Sequence, residues 1–328
     1  MAGRDGSGGD GDRADRRGAA VRCAKSATRP DVRSSERMTM RYTHDGKRRK
    51  ALFVGFDGVR DDVLRALAPP AVQDLASHGR WWTTTLPDVD VAPTVTAVGW
   101  STLLTGVWPS THKVSGNQDE YHLLHRYPSV LTRAYSADRE IRTYGAASAL
   151  IFGTHYGPGP ILGPGVNQLS FFDRRDYRGG FSDTDPLVLE EARRELHIGE
   201  HDLSFVYFGQ ADKVGHAHGV GDEYRAVIAV LDDYLAQLLE AVRGRSTYDR
   251  EEWLVVLSTD HGHLDEGGHG GGSWQERQSF IVAGLLGGGT AAQWRAEAEP
   301  VDLAPTLMEH LAVPIDPSWG YAGRALLG

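Results

Sequence analysis

The chain holds a single cysteine, Cys23, so no disulfide can close within it. No apolar run approaches the ~18 residues that span a bilayer. The first residues also lack the apolar core of a secretory leader. These absences exclude a disulfide scaffold, predict no membrane partner and make the cytoplasm the expected location. Basic charge is scarce beyond the N-terminus. Residues 1–50 carry 14 Lys and Arg against 7 Asp and Glu, yet the 328-residue chain has a formal charge of −9. The acidic remainder excludes the broad basic groove that a nucleic-acid polymer needs.

Apolar residues are also scarce over 1–47, which are mostly Gly, Asp, Arg and Ser. That composition predicts a disordered basic tail, with Met38 or Met40 as an alternative start. One α/β domain is expected over 48–328. Ala51–Phe56, Ile141–Gly145, Leu203–Phe208, Trp253–Ser258 and Gln278–Leu285 read as strands. Helical stretches are expected at 60–68, 70–78, 96–104, 185–196, 222–242 and 301–311. Strands alternating with helices predict a mostly parallel sheet covered on both faces. Residues 149–182, rich in Gly, Pro and aromatics, read as an irregular insertion bordering a pocket.

What the chain does have is carboxylates and histidines at strand ends. Asp57, Asp212 and Asp260 each lie just past an expected strand, the edge where open α/β sheets bind ligands. A lone aspartate there is usually a turn or cap residue; three such strand ends are harder to explain by packing. Asp212 and His216 are four residues apart, one helical turn, so they can share a cation. His261 follows Asp260 directly. His269 is flanked by four glycines, which suit a close backbone approach and not a core. His263 and His218 are candidates to orient a carboxylate or bind substrate, and His112 to brace its loop. Thr94, Thr96, Ser101 and Thr102 are candidate hydroxyls. A hydroxyl at a helix N-terminus meets free N–H groups that suit a phosphoryl oxygen. Three His and three Asp fit two Zn2+ ions, with Mn2+ as the alternative.

These motifs, in this order, resemble the alkaline phosphatase superfamily, and most closely its type I phosphodiesterase/nucleotide pyrophosphatase branch, over residues 50–328. The carrying segments are the strand ending at Asp57, Thr96 ten residues before Gly106, Asp212-Lys-Val-Gly-His216, Ser258-Thr-Asp-His-Gly262 and His269. The resemblance implies a three-layer α/β/α sandwich. It selects Thr96 as the nucleophile, forming a covalent phospho-threonine. It implies one zinc on Asp212, His216 and His269, and another on Asp57, Asp260 and His261 beside Thr96. Asn117 and the Thr96 N–H would hold a non-bridging oxygen.

The expected reaction is hydrolysis of a small phosphodiester or nucleotide-like substrate, with Trp100, Phe152, Tyr156 or Phe171 as candidate stacking rings. A phosphomonoesterase, using Lys113 or Lys213 against a dianionic phosphate, is the alternative; a phosphonate hydrolase is a further one. The Cys/Ser-x-Pro-x-Arg nucleophile motif of sulfatases is absent.

Overall fold

The computed structural model describes residues 41–288 and 293–327. Most of the expected tail, residues 1–40, lies outside the described residues. Residues 41–47 turn back onto the first strand, where Tyr42 bridges Arg48 and the Arg41 guanidinium meets Asp138 at 2.6 Å.

The seven strands are β1 (Arg48–Phe56), β2 (Gly79–Thr85), β3 (Thr143–Ala147), β4 (Gln168–Phe171), β5 (Leu203–Phe208), β6 (Glu251–Ser258) and β7 (Gln278–Leu286). They form one sheet in the order β2-β7-β6-β1-β5-β3-β4. The pairings are parallel except at β7, which runs antiparallel to both β6 and β2.

Alternation along β1 explains the layers. Ala51 and Phe53 point to one face, where they join Trp100, Leu103 and Leu307. Leu52, Val54 and Phe56 point to the other, where they join Val188, Ile228 and Leu235. The first face is covered by the Thr96–Thr105, Val130–Ala137 and Leu303–His310 helices. The second is covered by Phe181–Ile198 and Asp222–Arg243. A strand buried on both faces reads as a near-continuous apolar run, as Ala51–Phe56 does. The result is the expected three-layer α/β/α sandwich.

Two strands and a helix were not expected from sequence. β2, Gly-Arg-Trp-Trp-Thr-Thr-Thr, has no clean alternation and lies at a sheet edge. β4 comes from the Gly/Pro-rich insertion and forms the opposite edge, with all four residues half-buried. The third is the Val130–Ala137 helix.

β1, β5 and β6 are neighbours at the sheet centre. With strands ~4.8 Å apart, their carboxyl ends bring three chain segments within side-chain reach.

Candidate metal centre

Asp57 directly follows β1, Asp260 comes two residues after β6, and Asp212 lies in the first turn of the Gln210–His218 helix after β5. Asp57 and Asp260 are buried. The Tyr207 hydroxyl and the Trp100 indole N–H donate to Asp57 Oδ2, at 2.5 and 3.1 Å. These bonds orient the carboxylate and leave Oδ1 without a hydrogen-bond partner. Asp260 repeats the pattern: Oδ1 accepts from the Gly58 N–H at 3.2 Å, and buried Oδ2 has no partner.

Both orphaned oxygens face one atom, His261 Nε2, at 3.6 Å from Asp57 and 3.2 Å from Asp260. His261 Nδ1 lies 3.1 Å from the Gly262 carbonyl. With its proton donated there, the Nε2 lone pair points at the carboxylates. Thr96 Oγ1 is 3.4 Å from the same nitrogen. The Thr96 helix can come this close because residue 99 is glycine; a Cβ there would lie 2.6 Å from Asp260 Cβ. Two buried, unpartnered carboxylate oxygens and an imidazole lone pair are a donor set that fits a divalent cation.

The second group centres on Asp212. Its Oδ1 lies 3.1 Å from His263 Nε2, 3.2 Å from His269 Nε2 and 3.5 Å from His216 Nε2. His216 and His269 are 2.9 Å apart at Nε2. His269 Nδ1 is 2.7 Å from the Thr94 carbonyl, which fixes the ring with Nε2 turned toward Asp212. Ligand atoms of Asp212, His261, His263 and His269 lie within 4.8 Å of one another, as do those of Asp57, Asp260 and His261. Two adjacent metal-competent clusters therefore share the His261 region.

The electrostatics fit the same reading. Burial, then the Asp212 charge, pushes Asp57 up to about 7. Burial and the Asp57 charge raise Asp260 well above the carboxylate range. Burial opposes ionisation of Asp212 too, but hydrogen bonds from His263 and His269 outweigh it and hold its pKa below the ordinary value. Burial, with His269 alongside, keeps His261 neutral. Three crowded carboxylates stay ionised together only beside positive charge.

Thr96, Asn117, Asp57, Asp212, His216 and His269 all line a cavity of ≈ 540 Å³. Asn117 Oδ1 accepts the Ala97 N–H at 2.8 Å, which docks the residue at the helix N-terminus. Thr94 is excluded as nucleophile because its hydroxyl is committed, to the Gly271 carbonyl at 2.9 Å and the Gly270 N–H at 3.0 Å. Ser101 and Thr102 are buried within the helix. His112 braces its loop as expected, between Thr102 Oγ1 and the Val114 N–H.

Several expectations need correction. Trp100 and Phe152 are fully buried core rings packed edge to face, so neither can stack on a substrate. Phe171 packs against Gly153, while Tyr156 alone of the four rings lines the cavity. Lys113 is outside the cavity lining and Lys213 within it. His263, expected to orient a carboxylate or bind substrate more than to be a ligand, is buried beside Asp212 in the same cluster. Its signal was the small residues around it: a Cβ at Gly215 would lie 2.9 Å from its ring and one at Gly58 2.7 Å.

The sequence profile described as Type I phosphodiesterase / nucleotide pyrophosphatase matches residues 51–271. A 2,3-bisphosphoglycerate-independent phosphoglycerate mutase of a Nostoc species is 28% identical over 153 residues, 43% of this chain and 26% of the mutase. The chain thus matches about a quarter of the length of that curated relative. Human ectonucleotide pyrophosphatase/phosphodiesterase 5 shares the fold with a TM-score of 0.58 and 14% identity, over 85% of this chain and 100% of that one. A 2-O GAG sulfatase shares it with a TM-score of 0.62 and 15% identity, over 85% and 73%. The cytoplasmic location expected from sequence is withdrawn: solved structures with this fold include ecto-enzymes, and a lack of disulfides does not separate the two environments. Among the described residues, no helix is long and apolar enough to cross a membrane. Motif order, cluster geometry and the profile match agree that the chain belongs to the type I phosphodiesterase/nucleotide pyrophosphatase family of the alkaline phosphatase superfamily.

Proposed function

We propose that the chain hydrolyses small phosphodiesters or nucleotide-like phosphoric esters through a covalent phospho-threonine at Thr96. The observation that carries this reading is Thr96 Oγ1, at the first turn of its helix, 3.4 Å from the His261 nitrogen that both orphaned carboxylate oxygens face. Asp57, Asp260 and His261 would hold one Zn2+; Asp212, His216 and His269 would hold the other, with His263 fixing Asp212. Mn2+ is the alternative for the same oxygen and imidazole donors. Bound there, the cations supply charge neutralisation for the phosphoryl group and make the threonine alkoxide accessible near neutral pH.

The chain's own groups do the rest. Thr96 Oγ bonds to phosphorus as the bond to the leaving oxygen breaks, and that oxygen departs and takes a proton. Water then attacks phosphorus, the Oγ–P bond breaks, and the threonine hydroxyl is regenerated. Asn117 Nδ2 and the Thr96 N–H at the helix N-terminus bind a non-bridging oxygen. A phosphomonoesterase is the second reading, because Lys213 borders the cavity where a dianionic phosphate would lie.

The test is kcat/KM of metal-loaded protein on matched aryl phosphate diesters and monoesters. A diester preference of about 100-fold, some 2.7 kcal/mol of transition-state binding, is the expected result; a comparable monoester preference supports the second reading. Thr96→Ala should lose about 10³-fold or more in kcat. Acid-quenched wild type is expected to carry a phosphoryl adduct on the Thr96 peptide by mass spectrometry, and Thr96→Ala to lack it. Undiminished turnover by Thr96→Ala would rule out the nucleophile assignment.

A further inference from the structure

β2 pairs with β7 alone, so its other side is an open sheet edge. The bonds that flank this pair give the phase of its ladder. The Leu86 N–H donates to the Arg277 carbonyl at 2.9 Å, and the Leu285 N–H to the His78 carbonyl at 3.1 Å. Bonded residues alternate in an antiparallel pair. Along the register Arg80↔Ala283 and Trp82↔Ile281, this turns the N–H and C=O groups of Trp81, Thr83 and Thr85 away from β7. Among the described residues these groups have no hydrogen-bond partner. Such an edge is a template for a further strand. β4, at the opposite edge, is only four residues long. β2 runs for seven, without proline or a break in register.

A cavity of ≈ 950 Å³ lies against β2 and shares no lining residue with that of the metal centre. Consecutive strand residues point to opposite faces. Trp81, Trp82 and Thr83 all line this cavity, so it straddles the strand edge. Arg65 stands on one side, 4.3 Å from the centroid of the Trp81 ring. On the other side Trp82 Nε1 donates to the Arg295 carbonyl at 3.0 Å, and Arg295 Nη1 to the Arg324 carbonyl at 3.1 Å. The Arg80 guanidinium lies 5.9 Å from the Trp82 ring centroid. These contacts put Arg80, Arg295 and Arg324 along one wall.

The charge of the groove selects its occupant. Four arginines line it against two glutamates, in a chain of charge −9. Asp61 holds Arg65 and Asp302 holds Arg295. Glu299 caps the Pro300–Asp302 turn, which leaves Glu297 as the lining acid opposed to Arg80 and Arg324. Both of those arginines are exposed, and neither forms an ion pair among the described residues. We propose that β2 takes up an extended acidic segment of a partner protein as an added strand. Its backbone pairs with Trp81, Thr83 and Thr85, and its carboxylates meet Arg80 and Arg324. A second copy of the chain fits less well, because it would bring the same arginines into the same groove.

Fluorescence anisotropy of the full chain tests this with a labelled peptide of about seven alternating glutamate and threonine residues. Saturable binding is expected, with the lysine counterpart about tenfold weaker or worse. The glutamate peptide is also made with backbone N-methyl groups at alternate residues, in both phases. The phase that blocks the N–H groups facing β2 should weaken binding about tenfold, and the other phase should not. Arg80→Glu combined with Arg324→Glu should reverse the preference towards the lysine peptide, a gain that misfolding cannot produce. No saturable binding, equal binding of the two charges, or equal effects of the two N-methyl phases overturns the proposal. A wild-type dimer in sedimentation that Thr85→Pro dissociates overturns it too, by assigning the edge to a second copy; proline there removes an outward N–H and spares the β7 ladder.

Discussion

Thr94 and Thr96 carry the same hydroxyl two residues apart, and their surroundings give them opposite work. Thr94 is fully buried and clips the His269 loop: its hydroxyl bonds Gly270 and Gly271, and its carbonyl takes His269 Nδ1. Among the described residues Thr96 Oγ1 meets only His261, across 3.4 Å. Thr94→Val keeps the shape and the carbonyl but deletes both loop bonds. Removing such a supporting contact costs about 10-fold or more in metal affinity. Competition against a chromophoric chelator should therefore show weaker binding of one of two cations in Thr94→Val, with little change in the thermal midpoint. Unchanged affinity for both would mean that the glycine-rich loop holds His269 without help. His269 itself was legible because four flanking glycines fit no core. Thr94 was not, because a hydroxyl used as a clip and one used as a nucleophile look alike until their partners are known. His263 was half legible: its place beside the Asp-His-Gly motif suggested an orienting role, but only the fold shows Gly58 and Gly215 making room for its ring.

Among the elements, the Gln210–His218 helix carries two of the expected ligands and begins without a cap of its own, since Gly209 has no side chain to offer. Asp185, from the Phe181–Ile198 helix, supplies it. Its carboxyl accepts the Gly209 N–H at 3.0 Å and the Gln210 N–H at 2.9 Å. Burial pushes Asp185 up to about 8, against the pull of those two N–H groups. Near pH 7 the neutral carboxyl therefore predominates, and a neutral amide is its near equivalent. Asp185→Ala removes the cap and should cost about 1–2 kcal/mol, with a parallel loss of metal affinity as Asp212 and His216 lose their anchor. Asp185→Asn should retain most of both. Thermal unfolding of the two variants decides it, and equal losses would mean that the ionised form does the capping. The long elements were readable from sequence because burial on both sheet faces leaves a long apolar run, and a helix against the sheet leaves a 3.6-residue stripe. β4 was not, since Gln-Leu-Ser-Phe pairs on one side only and its burial depends on β3. The Asp185 cap joins segments 24 and 25 residues apart, which no local pattern encodes.

Across the whole molecule the sheet separates two kinds of buried charge. At the amino edge the buried charges have partners: Arg245 holds Glu251 at 2.8 Å, and Lys50 Nζ donates to the His201 carbonyl at 2.6 Å. At the carboxyl edge Asp57 and Asp260 each leave a buried oxygen unpartnered. An unpaired buried charge costs several kcal/mol, so a cluster that breaks the pairing rule is retained for binding a cation and not for stability. The amino edge has its own sensitivity to pH. His310 is buried there, with Nε2 donating to the Lys50 carbonyl at 2.9 Å. Burial lowers its pKa from 6.5 to about 4. The folded histidine thus stays neutral where the unfolded one takes a proton. Stability is full above pH 6.5 and falls as pH drops from there towards 4. By pH 5 this one group accounts for about 2 kcal/mol. His310→Gln keeps a donor for the Lys50 carbonyl but cannot titrate. Urea midpoints at pH 7 and pH 5 should separate less in the variant than in the wild type, even if packing losses lower both. An equal acid loss in His310→Gln would assign the acid sensitivity to other groups, with His112, held at about 3 by burial, as the next to replace.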